Sequence, residues 1–127
     1  DDSLRLLYLQ PGVMQSALLT SDPAYLVCAY ARLMMSALAQ QAQPSSAWIL
    51  GQGGGSLSRF LRRIAPDCRI DAVEIDPVVI RLYHALNQHC RDQATRVHQA
   101  DAGEWLPQQV GAGRQTDLLL IDVYDRH

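Results

Sequence analysis

The run Gly51-Gln52-Gly53-Gly54-Gly55-Ser56 stands directly between an apolar strand-like segment and a helix-like one. Glycine in that place lets a ligand approach the backbone closely and permits positive φ. The helix that follows offers free N–H groups and a positive dipole end. Gly51, Gly53 and Gly55 are therefore candidate cofactor-binding positions, because the loop sits between strand and helix. Glu74 ends the next strand in Ala72-Val73-Glu74-Ile75-Asp76-Pro77. It lies roughly 20 residues past the glycines, where an acid receives ribose hydroxyls in dinucleotide folds. A carboxylate suits a diol because it accepts two hydrogen bonds. Asp101 follows the third strand, where an acid can accept from an adenine amino group; capping the turn at Gly103 explains it equally well. Asp122 and Asp125 close the fourth strand, three residues apart. Two such acids can converge on a cationic amine, one holding charge while the other takes a proton.

These residues need a scaffold that brings strand ends to one edge, and the hydrophobic pattern supplies it. Strands are expected near residues 47–50, 70–75, 97–100 and 118–123, with helices at 57–64 and 77–89 and a short helix or turn at 103–109. Asp76 and Pro77 read as an N-cap and first helical residue. Alternating strands and helices imply parallel pairing with right-handed crossovers. The expected class is α/β, with the four strands in the order 3-2-1-4 and the glycine loop at the carboxyl edge. Leu118-Leu119-Leu120-Ile121 is apolar throughout, as for a strand covered on both faces. Upstream, Leu4 to Leu9 and Val13 to Thr20 flank the turn pair Pro11-Gly12 and suggest a hairpin. Asp22-Pro23 signals a helix start, and Leu26, Tyr30, Leu33 and Ala37 recur at helical spacing, predicting a helix to about Gln41. In that pattern Tyr30 belongs to a core stripe.

Composition bounds the function. The 127 residues are 48% hydrophobic and 19% charged with net charge -2, which suits one globular domain and gives no basic surface for nucleic acid or anionic membrane. All 11 basic residues are arginine, which excludes Schiff-base or Walker-type lysine chemistry in this chain. Cys28, Cys68 and Cys90 form no CxxC pair, and His84, His89, His98 and His127 show no metal-ligand spacing; no metal is expected, and free thiols suggest a reducing cytoplasm. No apolar run is long enough to span a bilayer. Asp1 reads as mid-domain and His127 follows directly on a strand, so part of a larger protein is expected.

In order along the chain, Gly12-Val13-Met14-Gln15, Tyr25, Ile49-Leu50-Gly51-Gln52-Gly53-Gly54-Gly55, Val73-Glu74-Ile75-Asp76, Asp101-Ala102 and Leu120-Ile121-Asp122-Val123-Tyr124-Asp125 resemble the polyamine aminopropyltransferases, the spermidine synthase family. The resemblance runs from Leu9 to Asp125. It implies a Rossmann-like methyltransferase-type domain over 21–127, incomplete at its C-terminus, preceded over 1–20 by the tail of a small β-hairpin domain. It implies that Gln15 and Glu74 contact nucleoside and ribose, Asp101 the adenine, and Tyr25 and Asp125 a putrescine-like amine. Asp122 would be the base that frees the attacking amine. The cosubstrate would be decarboxylated S-adenosylmethionine or S-adenosylmethionine itself, the protein cytoplasmic, and a homodimer possible by family pattern.

Three departures stand against that pattern. Family synthases carry an acid within the glycine loop that grips the amine of the transferred group; Gly54 holds that position here. Leu26 replaces a polar residue after Tyr25, and Arg126 replaces a proline after the last aspartate. Two alternatives therefore accompany aminopropyl transfer: an S-adenosylmethionine-dependent methyltransferase, and a non-catalytic nucleoside-binding domain. A nicotinamide dehydrogenase ranks below these because Asp101 has no task there.

Overall fold

The computed structural model describes residues 3–87 and 94–123. Two strands, β1 (Leu4–Gln10) and β2 (Val13–Leu19), pair antiparallel as a hairpin. Gly12 turns it with φ +79°. Four further strands, β3 (Ser46–Leu50), β4 (Arg69–Glu74), β5 (Thr95–Gln99) and β6 (Leu118–Ile121), form a parallel sheet in the order β5-β4-β3-β6. This is the expected 3-2-1-4 arrangement. Chain order reverses between β3 and β6, and the carboxyl edge at such a switch point is where open α/β sheets bind ligands.

Helices α2 (Ser56–Ile64), α3 (Pro77–Leu86) and α4 (Ala102–Gly111) follow β3, β4 and β5. Asp76 caps α3, accepting from Val78 N at 2.8 Å, with Pro77 next, as the sequence predicts. Strand periodicity splits the apolar residues between two cores. Ala47, Ile49, Ile70, Ala72, Leu118 and Leu120 face α2 and the upstream helical turns through Leu57, Leu61, Met35 and Leu38. Trp48, Leu50 and Val73 meet Trp105 of α4 on the opposite face. Trp48 and Trp105 stack edge to face, 5.4 Å between centroids. Asp71 is buried on β4 and is held by His98 Nε2 at 2.7 Å and Arg114 at 3.6 Å.

Two expectations are corrected. The helix predicted from Asp22 onward begins only at Ala29: α1 is Ala29–Met34, continued by a 3-10 turn at Met35–Ala39. Asp22 instead closes a local turn, accepting from Ala24 N at 3.3 Å, and pairs with Arg63 of α2. Arginines tie down the carbonyls that a helix would have used: Arg59 Nε donates to Pro23 O, and Arg32 Nη1 to Leu26 O and Val27 O. That fixes Leu26 in the core and leaves the segment non-helical. Second, β6 is not covered on both faces. Leu118 and Leu120 are buried while Leu119 and Ile121 are 41% and 55% exposed, because Trp105 of α4 packs over β3 and β4.

Burial pushes the Cys68 thiol above its ordinary value, so it serves as a small core hydrophobe. No helix among the described residues is long and apolar enough to cross a membrane.

Candidate active site

The carboxyl ends of all four parallel strands open into one cleft of about 730 Å³, roofed in part by the hairpin. Its walls include Gln15, Gly51, Gly53, Glu74, Asp101 and Asp122. Six of the residues expected from sequence thus share one cavity. Asp125 lies outside the described residues. Tyr25 and Gly55 are not among the lining residues; Tyr25 is 49% exposed on the turn before α1.

The loop glycines differ in what they serve. At Gly51, φ is +91° and a Cβ would stand 2.1 Å from the carbonyl oxygen of Asp122. The missing side chain lets β6 close on β3, where Asp122 N donates to Leu50 O at 2.8 Å. At Gly55, φ is +83° and a Cβ would meet the Tyr83 ring at 2.4 Å. Gly55 therefore starts α2 and admits α3; packing explains it without a ligand. Only at Gly53 (φ +51°) would a Cβ point into open space, and Gly53 lines the cleft.

Glu74 braces this loop. Its Oε2 accepts from Gly53 N at 3.1 Å and its Oε1 from Asp76 N at 3.0 Å. Each carboxylate oxygen has further acceptor capacity, so the pair can still receive a diol from the cleft. Asp101 Oδ1 caps α4, accepting from Gly103 N at 2.7 Å, and the residue still lines the cleft. Capping and ligand contact are thus compatible there: the cap uses one oxygen.

Tyr30 is the residue the sequence concealed. Read as part of a helical stripe, it instead lines the cleft and donates its hydroxyl to Asp122 Oδ2 at 3.2 Å. No periodicity signal separates it from core; the helical turns pack inward through Ala31, Met35 and Leu38, one position past the predicted stripe, which leaves Tyr30 and Leu33 exposed. Among the described residues, no group of three His, Cys, Asp or Glu is placed to hold a metal.

No family model matches the chain. The chain is 32% identical over 126 residues to a polyamine aminopropyltransferase of Chromobacterium violaceum, covering 98% of this chain and 47% of that protein. It is 35% identical over 110 residues to an eEF1A lysine and N-terminal methyltransferase of Xenopus laevis, covering 80% of this chain and 16% of that protein. Human methyltransferase-like protein 13, solved in complex with SAH, superposes with TM-score 0.68 and 28% identity, covering 78% of this chain and 49% of that one. The chain spans less than half the length of each of these proteins. It has the Rossmann-like α/β fold of the methyltransferases.

Proposed function

We propose that the cleft binds an S-adenosyl sulfonium nucleoside and that the protein transfers one of its sulfur substituents to an amine. The observation that carries this is the convergence of Gly53, Glu74, Asp101 and Asp122 on one cavity at the switch point of the sheet. In this reading Glu74 receives the ribose, Asp101 the adenine and Gln15 the nucleoside from the hairpin side. The sulfonium then sits near Asp122, which acts as catalytic base, with Tyr30 holding the carboxylate in place. Asp125 serves as a second acid for the acceptor.

The chemistry is a displacement. An amine is protonated at neutral pH and must lose a proton before its lone pair can attack. Asp122 attracts the cation and accepts that proton. The nitrogen–carbon bond forms as the carbon–sulfur bond breaks, and the electron pair leaves on sulfur, giving a neutral thioether nucleoside.

Two donors fit this scheme. Aminopropyl transfer from decarboxylated S-adenosylmethionine to a putrescine-like amine is supported by the likeness to a polyamine aminopropyltransferase over 98% of the chain. It would place the protein in the cytoplasm. Methyl transfer from S-adenosylmethionine is favoured by Gly54, where the loop offers no acid to hold the transferred group's ammonium. Calorimetric titration of the full-length protein with S-adenosylmethionine, its decarboxylated form, methylthioadenosine and NAD tests both. Binding of at least one sulfonium and of methylthioadenosine is expected, with NAD far weaker; preference for NAD overturns the proposal.

The ribose contact has its own test. Glu74→Gln should weaken nucleoside binding by about 1–3 kcal/mol, the range for losing a charged hydrogen-bond partner. The amide keeps an acceptor oxygen for one of the two backbone N–H groups, Gly53 N or Asp76 N, and turns an NH2 toward the other, so thermal melts of the free variant are compared alongside. Unchanged affinity by calorimetry would leave Glu74 as a loop brace only.

A further inference from the structure

We infer that Arg59 is a positioning residue of the site: its buried guanidinium fixes the segment leading to Tyr30 against the glycine loop, so that acceptor and nucleoside meet in register. This rests on the proposed nucleoside cleft and goes beyond it to what aligns its two ends.

Arg59 stands on α2 and is 8% exposed. Its Nε donates at 2.7 Å to Pro23 O, 36 residues earlier, in the segment that runs into α1. Its Nη1 donates to Gly54 O on the loop and, at 3.2 Å, to Asn87 Oδ1 just past the end of α3. Its Nη2 donates to Ser56 Oγ at 3.3 Å. A guanidinium can serve such divergent acceptors because its donors lie in one rigid plane; a lysine ammonium is a point charge on a flexible stem.

The bond to Asn87 closes a circuit through the proposed ribose acid. Asn87 Nδ2 donates to Tyr83 O of α3 at 2.7 Å. At the other end of α3, Asp76 N donates to Glu74 Oε1, and Glu74 Oε2 takes Gly53 N. The next residue, Gly54, returns to Arg59. The nucleoside half is thus braced twice, by Glu74 and by Arg59. The segment before α1 depends more heavily on the fork. Beside it stands only the Asp22–Arg63 pair, half exposed on the arginine side and worth little. Arg32 fastens Leu26 O and Val27 O to α1 itself, so segment and helix move as one body. Ala31 and Met35 press α1 onto the core, but apolar contact has no direction. Without the fork, Glu74 still braces the loop while Tyr30 and its bond to Asp122 lose their register.

The test compares full-length wild type with Arg59→Lys and Arg59→Gln. Methylthioadenosine titration counts the nucleoside sites. Single-turnover transfer is read per site, with each sulfonium donor and with putrescine or a lysine peptide as the amine. Methylthioadenosine affinity should stay within about threefold, less than one neutral hydrogen bond. The rate per site should fall by at least about tenfold and up to about 100-fold, the cost of a displacement near 1 Å. Excess amine should not restore it. Arg63→Gln, which cuts only the surface pair to the same segment, should keep the rate within about twofold. A residue that merely stabilises the fold would lower the number of sites and leave the rate at each unchanged. That result, or equal losses of affinity and rate, overturns the inference and leaves the cleft standing. If wild type binds no methylthioadenosine, or transfers to neither amine, the functional reading falls and the inference with it.

Discussion

Replacing Asp122 by Asn should slow group transfer by roughly 100- to 10,000-fold, the range for losing a general base, while nucleoside affinity stays nearly intact. Asn is close to isosteric and can still accept from the Tyr30 hydroxyl that meets Asp122 Oδ2 at 3.2 Å. What it lacks is the negative charge that gathers the ammonium and the basicity that takes its proton. The loss should therefore fall on turnover at saturating nucleoside and shrink as pH is raised toward the amine's own pKa, where free amine becomes abundant. Single-turnover rates against pH, alongside nucleoside titration, separate this from mere damage to the site. Full activity in the variant would remove Asp122 from the chemistry; equal loss of nucleoside affinity would make it a binding residue.

The second large effect is on stability. Gly51→Ala should destabilise the fold by more than about 2 kcal/mol, because it adds a steric conflict to positive-φ strain. The new Cβ would stand 2.1 Å from the backbone carbonyl of Asp122, just past β6, and a backbone carbonyl has no rotamer by which to retreat. Strand β6 must move off β3 instead, and Asp122 moves with it. Gly12→Ala is the matched control. It shares positive φ, yet a Cβ there meets nothing within 4 Å, so only the conformational cost of about 1–2 kcal/mol is expected. Denaturant midpoints of the two variants measure the difference. Equal losses would mean that the β3–β6 junction is softer than its geometry implies.

The parallel sheet was legible because its strands are short apolar runs broken by glycine, proline and capping acids, so type and order followed from local chemistry. Glu74 and Asp122 were legible for the same reason: strand ends at a carboxyl edge are fixed by topology once the strands are placed. The segment after the hairpin was not. Asp22-Pro23 carries the usual marks of a helix start, and nothing local says that Arg59, more than thirty residues on, takes the Pro23 carbonyl. The consequence reached the site. The predicted stripe put Tyr30 in the core, whereas the helical turns pack through Ala31, Met35 and Leu38 and leave Tyr30 in the cleft. Gly55 misled in another way: positive φ beside a ring and positive φ beside a ligand look alike in a sequence.

That last ambiguity bears on how a protein of this kind would age. Suppose a descendant lost its nucleoside altogether. Gly51 would still be held by the carbonyl of Asp122, Gly54 by Ser16 and Gly55 by Tyr83, since each contact belongs to the fold. Purifying selection on stability alone would preserve most of the glycine run long after its ligand had gone. Gly53, with open space in front of it, is the position at which such a lineage could first accept a side chain, at the conformational cost of its positive φ alone; Glu74 would go on taking the backbone N–H groups of residues 53 and 76. In a set of related sequences, drift at position 53 would mark the members that have stopped binding.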